Sequence, residues 1–176
     1  MLIQTLGRAM MSNMDELIRE IRAALAGGLY YLALYGALAL PDICGALGSE
    51  NGRATPSKYK SWLKENVPSE AGDAELIYGL RCSLLHQGRA FPHGSVFPLA
   101  FTYSPTGGFH NFSTVVNGEQ VGWVDTAIFI REMTSGAEKW LRTYEGTNTV
   151  EGNLDKFARL RPEGLPPHVV GMPVIA

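Results

Sequence analysis

The sequence predicts a mainly α protein: an antiparallel helical bundle carrying a small antiparallel hairpin or sheet as an insertion, then a further C-terminal helix. Three observations carry this reading. Apolar residues recur at helical spacing over 13–26, 57–66, 73–86 and 126–144. Residues 29–40 are apolar all round, the pattern of a helix enclosed by others. Between Val96 and Val124, Val, Phe, Tyr, Thr and Trp dominate around Asn117-Gly118, a strong hairpin signature. The 176 residues suit a single domain, divided into a bundle core (13–90), a sheet insertion (91–124), C-terminal helices (125–161) and an extended tail (162–176).

Each element has a local cause. Ser12 or Asn13 caps the first helix, and Asp15 and Glu16 lie in its first turn, where the helix dipole favours them. Leu17, Ile18, Ile21, Ala24 and Leu25 form its apolar face. Gly27-Gly28 marks a bend before the enclosed segment. Pro41 ends that segment or opens a short helix over 41–47, with Asp42 as its cap or as a partner of the residues discussed below. Gly, Asn and Pro make 48–56 a loop. Tyr59, Trp62 and Leu63 face inward from the next helix, and 68–72 is a second loop. Asp73 caps a helix that runs to about His86 and stops at Gly88. Three strands follow, over 96–103, 109–116 and 119–124, with Pro105 to Gly108 between the first two. Asp125 or Thr126 caps a long helix to Tyr144, and a shorter one covers about 150–160.

Composition narrows the function classes. Apolar residues make up 45% and charged residues 18%, which excludes a disordered chain. A net charge of -2 gives no global drive toward tight, salt-sensitive nucleic-acid binding, although a local basic patch is compatible with it. Two cysteines, Cys44 and Cys82, are no disulfide framework and read as buried thiols. Met1 to Met11 shows no secretory pattern, so cytoplasm is the expected compartment. Ala23–Leu40 is free of charge over eighteen residues, but three glycines and three tyrosines make it a buried bundle helix rather than a membrane span.

The chemistry concentrates in Leu80-Arg81-Cys82-Ser83-Leu84-Leu85-His86-Gln87-Gly88. Cleaving RNA without a metal needs a base for the 2′-hydroxyl proton, an acid for the leaving oxygen and a cation for the phosphorane. Histidine titrates near working pH and serves the proton transfers. Arginine stays charged and presents planar donors to phosphate oxygens. Positions five apart differ by about 140° around a straight helix. Arg81 and His86 therefore share a groove if the helix frays near Leu85, which Gln87-Gly88 favours, or if a partner surface joins them. The structural alternative is that Arg81 pairs with Asp42 or Glu75 while His86 caps carbonyls at the helix end.

Tyr78-Gly-Leu-Arg-Cys-Ser-Leu-Leu-His-Gln-Gly88 resembles the heart of the HEPN domains, where an Arg, four to six residues and a His sit late in a bundle helix followed by Gly. Leu40-Pro-Asp-Ile-Cys-Gly45, with the Tyr59/Trp62 helix after it, is similar to bacterial HEPN-like proteins. The resemblance covers roughly 13–90. It implies a HEPN-like four- or five-helix bundle and a two-fold homodimer with both motifs lining one cleft. It also implies a metal-independent endoribonuclease of toxin–antitoxin, phage-defence or CRISPR systems, with an RNA substrate and an antitoxin or defence-system partner. The alternative it implies is a catalytically inactive module that binds nucleotide, RNA or a partner protein. Carried onto this chain, Arg81 contacts the scissile phosphate and His86 does acid–base work, with Asp42, Cys82, Ser83 and Gln87 in support. Active members often have a polar residue after the arginine; here it is Cys82, with Ser83 beside it as a partial substitute.

Outside the motif the expectations are plain. His93, His110 and His168 have no metal-ligand spacing with one another, so neither a metal nor a cofactor is expected. Trp123, Phe129 and Trp140 fit core positions, whereas Tyr103, Phe109 and Phe112 fit either the core or an exposed aromatic strip that stacks single-stranded RNA. Arg53, Lys58, Lys60 and Arg89 are the basic residues nearest the motif, read as a solvated face or as a guide for RNA.

Overall fold

The structure, a computed structural model, describes residues 2–103, 108–144 and 146–176, with side chains from Met14 onward. The segment expected to join the first two strands thus lies partly outside the described residues, at 104–107.

The chain is mainly helical. Helix α1 spans Leu2–Ala26, and α2 spans Tyr30–Leu47. Helix α1 begins well before the expected cap at Ser12 or Asn13, because Leu, Gln, Arg, Ala and Met upstream are strong helix formers. Helix α2 runs straight through Pro41, where an end or a new short helix was expected. An interior proline costs about 3 kcal/mol, since it removes a donor and crowds the preceding turn. Burial offsets this: Leu38, Leu40, Cys44 and Leu47 are all in the core, and each buried aliphatic side chain stabilises by about 1.5–3 kcal/mol. The fully buried Tyr59 hydroxyl also donates to Leu38 O at 3.0 Å, within the turn that Pro41 disturbs.

Helix α2 is the centre of the bundle and packs against α1, α3 (Pro56–Asn66), α4 (Ala74–Gln87), α5 (Thr126–Tyr144) and α6 (Asn148–Leu154). Among the described residues it alone is long and apolar enough to cross a membrane, and 44% of it is buried in the fold. Local caps fix the other helices. Thr55 Oγ1 accepts from Lys58 N–H at 3.2 Å to open α3, and Asp125 Oδ1 accepts from Ile128 N–H at 2.9 Å to open α5. The expected loop at 68–72 is a short 3-10 helix, Pro68–Asp73, which packs on α3 and delivers the chain to α4.

The sheet corrects the expectation of an all-antiparallel insertion. Strands β2 (Phe112–Val116) and β3 (Glu119–Asp125) do form the antiparallel hairpin, with both turn residues at positive φ (Asn117 54°, Gly118 83°). Strand β1 (Leu99–Thr102) pairs parallel to β3 on its other edge, giving the order β1-β3-β2. Gly122 gives room at this pairing: a Cβ there would come within 2.6 Å of Leu99 Cδ2 and 3.1 Å of the Phe97 ring, so a larger residue would have to displace those side chains.

The C-terminal region also departs from expectation. Helix α6 ends at Leu154, not near 160, and the tail forms two small antiparallel ladders. These join β4 (Leu160–Arg161) to β7 (Val174–Ile175), and β5 (Gly164–Leu165) to β6 (Val169–Val170). Apolar helical spacing lapses after Leu154, and Arg159 exchanges backbone hydrogen bonds with Ala176, both at 3.0 Å.

Two polar clasps tie distant elements. Asn153 Nδ2 donates to Leu47 O at 2.9 Å and Ser49 O at 2.7 Å, satisfying carbonyls at the C-terminus of α2. Asn153→Ala is expected to lower stability by about 1–3 kcal/mol, the cost of leaving buried polar groups unpaired; chemical denaturation measures it. Arg22 grips Glu138 through its two terminal guanidinium nitrogens, joining α1 to α5. The hydrogen bonds from Arg22 hold the Glu138 carboxyl below its ordinary range. A depressed carboxyl contributes stability above its unfolded pKa and loses it as pH falls through the folded one. The stability gap between wild type and Glu138→Gln should therefore be open at neutral pH and close as pH falls below the ordinary carboxyl range.

Candidate functional site

Helix α4 presents the Arg–His motif. Ile77, Leu80 and Leu84 turn into the core, which fixes the helix rotation. Gly88 ends it in the left-handed conformation (φ 66°), with its N–H on Leu84 O at 3.0 Å. The chain then folds back over α4, where His93 N–H donates to Gly79 O at 3.0 Å. A Cβ at position 79 would lie 2.5 Å from His93 O, so the glycine in Tyr78-Gly79-Leu80-Arg81 makes room for this crossing.

Asp42, Arg81 and His86 meet at the surface between α2 and α4. Arg81 Nε donates to Asp42 Oδ2 at 2.7 Å, with the two side chains only 23% and 22% exposed. Arg81 NH1 lies 3.1 Å from His86 Nε2. A guanidinium only donates, so Nε2 accepts and the imidazole in this arrangement carries its proton on Nδ1. Helix α4 is unbroken to Gln87, so fraying is not what joins the pair. The long arginine side chain spans the angular offset, and Asp42 aims it.

Two alternatives are thereby decided. Asp42 sits inside α2 and is not a helix cap; Pro41 is accommodated within the helix, which leaves the carboxylate free to face α4. Glu75 pairs instead with Lys60 Nζ, at 2.7 Å. Burial raises the Asp42 carboxyl above its ordinary value, with Arg81 and His86 pulling it back. Burial works against the Arg81 charge, but Asp42 holds the guanidinium above its ordinary range.

The supporting residues divide. Cys82 is half-buried and adjoins both the Arg81 guanidinium and Tyr78, a neighbour the sequence reading did not single out. Ser83 is buried in the bundle, and Gln87 is exposed. Neither hydrogen-bonds to Asp42, Arg81 or His86 among the described residues. Cys44 is fully buried, and burial pushes its thiol well up. Of the basic residues near the motif, Lys58 Nζ donates to Arg53 O at 3.0 Å and Lys60 lies over the Tyr78 ring at 5.8 Å, while Arg53 and Arg89 are exposed.

A second polar constellation was not foreseen. Glu70, His110 and Glu132 come from the 3-10 helix, the segment before β2, and α5. Their separation in sequence gives no recognisable ligand spacing. Nearby, a cavity of about 200 Å³ lies between the sheet and α4, lined by Leu76, Phe101, Trp123 and Phe129 with Glu70 and Asn111 among its polar residues. Phe129 and Trp140 are core residues as expected, whereas Trp123 is half-buried. Phe109 and Phe112 are exposed and stack at 5.7 Å, and Tyr103 is exposed against Tyr30 at 4.1 Å.

In comparisons with known proteins, the chain matches no family model, no curated protein and no solved structure.

The Asp42–Arg81 contact is expected to be energetically coupled. A double-mutant cycle of Asp42→Asn and Arg81→Met, read by denaturation, should give about 1–2 kcal/mol of interaction, as for hydrogen-bonded residues in direct contact. Additive effects would mean that the two side chains act independently.

Proposed function

We propose that the chain is a HEPN-like endoribonuclease, acting in the cytoplasm as a homodimer of a toxin–antitoxin or phage-defence system. The observation that carries this reading is the Asp42–Arg81–His86 arrangement. It pairs a fixed cation with an accessible imidazole and spends only part of the guanidinium on protein partners. The Arg–His stretch that resembles HEPN domains supplies the reaction class.

The chemistry follows from these groups. A histidine takes the 2′-hydroxyl proton, the 2′-oxygen attacks phosphorus, and the P–O5′ bond breaks. A second histidine, His86 of the other protomer, returns a proton to the 5′-oxygen. The products are a 2′,3′-cyclic phosphate and a 5′-hydroxyl. Arg81 donates to the non-bridging oxygens as charge builds, while Asp42 keeps the guanidinium oriented. To accept a proton, His86 Nε2 must part from Arg81 NH1, and an arriving phosphate gives that N–H a better acceptor. Exposed Phe109 and Phe112, on the sheet side of the bundle, suit stacking of unpaired bases of a longer RNA.

One observation favours a second reading, a catalytically silent HEPN-like module that binds nucleotide, RNA or a partner protein. In the single chain the Nε2 lone pair is already taken by Arg81.

The deciding experiment compares wild type with His86→Ala and Arg81→Ala. Expression should be toxic with RNA breakage for wild type only. Purified protein should leave 5′-hydroxyl ends, with cleavage about 10²–10⁴-fold slower in His86→Ala. Arg81→Ala should lose about 10²–10³-fold. Equal, background-level cleavage by all three folded proteins, with RNA or nucleotide binding lost in Arg81→Ala, would establish the silent module instead.

A further inference from the structure

We propose that Glu70, His110 and Glu132 bind one divalent transition-metal ion, at a site distinct from the Arg–His motif and argued independently of it. The ligand atoms of the three side chains all lie within 4.8 Å of one another. His110 Nε2 is 3.1 Å from Glu70 Oε1 and 3.7 Å from Glu132 Oε2. Metal–ligand bonds of about 2.1 Å set neighbouring tetrahedral ligands about 3.4 Å apart, which is the range seen here.

The directions matter as much as the distances. Both ring nitrogens of His110 are buried, yet neither makes a directed hydrogen bond among the described residues. Glu70 Oε1 is close enough to Nε2 but lies off the line of the ring N–H. Ligands of a shared ion aim at the ion rather than at each other, so this misalignment is what ligation produces. A simple imidazole–carboxylate hydrogen bond would be in line.

Charge points the same way. Glu70 is only 2% exposed, and Glu132 is close by. No lysine or arginine pairs with either among the described residues. Two carboxylates around one imidazole lack positive charge, and an unpaired buried carboxylate is costly. A divalent ion supplies the missing charge.

The surroundings hold the ligands in place. Asn111 Nδ2 donates to Glu70 Oε1 at 3.3 Å and Ser69 Oγ to Glu132 Oε2 at 2.7 Å, the role outer-sphere donors play around metal-bound carboxylates. One nitrogen and two carboxylate ligands suit Zn²⁺, Mn²⁺ or Fe²⁺ better than a thiolate-seeking ion. Three protein ligands leave a coordination position open. Glu70 and Asn111 also line the 200 Å³ cavity, so one ligand and its outer-sphere donor are shared with that space.

The test uses the full chain stripped with chelator, then titrated with Zn²⁺ by calorimetry and with Co²⁺ by visible absorption. One equivalent should bind, with Co²⁺ ligand-field bands and a raised thermal midpoint. His110→Ala and Glu132→Gln should each weaken binding by more than about 100-fold, since outer-sphere losses alone approach that factor. Glu132 is 33% exposed, so its isosteric variant keeps the test open if His110→Ala fails to fold. A His93→Ala/His168→Ala variant should bind as wild type does. The proposal is overturned if no stoichiometric ion binds, if Glu132→Gln binds as tightly as wild type, or if binding disappears in the His93→Ala/His168→Ala variant.

Discussion

The structure depends on the enclosure of α2. A helix that is apolar on every side is stable only when other elements cover it. Here α1, α3, α4, α5 and α6 do so from Ala33 to Leu47, while Tyr31 and Leu32 in the first turn are exposed. This one requirement accounts for the helix continuing through Pro41: burial of Cys44 and Leu47 beyond the proline offsets its cost. It also explains why the polar groups at its end are met from afar, by Asn153 on α6.

Continuity of α2 has a chemical consequence. Had the helix broken at Pro41, Asp42 would have served as a cap for a new helix. Within a continuous helix its carboxylate projects toward α4 and takes the Arg81 guanidinium. The arginine, held at Nε, turns another nitrogen to His86. An apolar packing constraint thus builds a charged site at the bundle surface, and the same packing keeps Asp42 and Arg81 partly out of water, where their interaction is less screened.

The sheet plays a comparable part on another side of the bundle. Gly122 admits β1 beside β3, and the mixed sheet roofs the cavity above α4. The segment entering β2 brings His110 to Glu70, with Asn111 at positive φ (51°) carrying its amide onto the same carboxylate. Asparagine tolerates that conformation better than most residues, which makes this polar junction affordable to the backbone.

Much was legible in the sequence because its causes are local. Helical periodicity marked α3, α4 and α5, Asn117-Gly118 marked the hairpin, and Gly88 marked the end of α4. Arg81 and His86 were visible as a motif, since five residues on one helix is a short-range relation. Failures came where a local rule met a tertiary competitor: Pro41 within α2, β1 on the far edge of β3, and the tail ladders where helix was expected to persist. The choice of Asp42 over Glu75 for Arg81, and the meeting of Glu70, His110 and Glu132, belong to the tertiary structure alone. By itself the sequence determined where most of the helices lie, which of their faces are apolar and that Arg81 and His86 share one helix. Which distant polar groups touch was decided by how those faces packed, because side chains dozens of residues apart share a site only after the apolar surfaces between them have been buried.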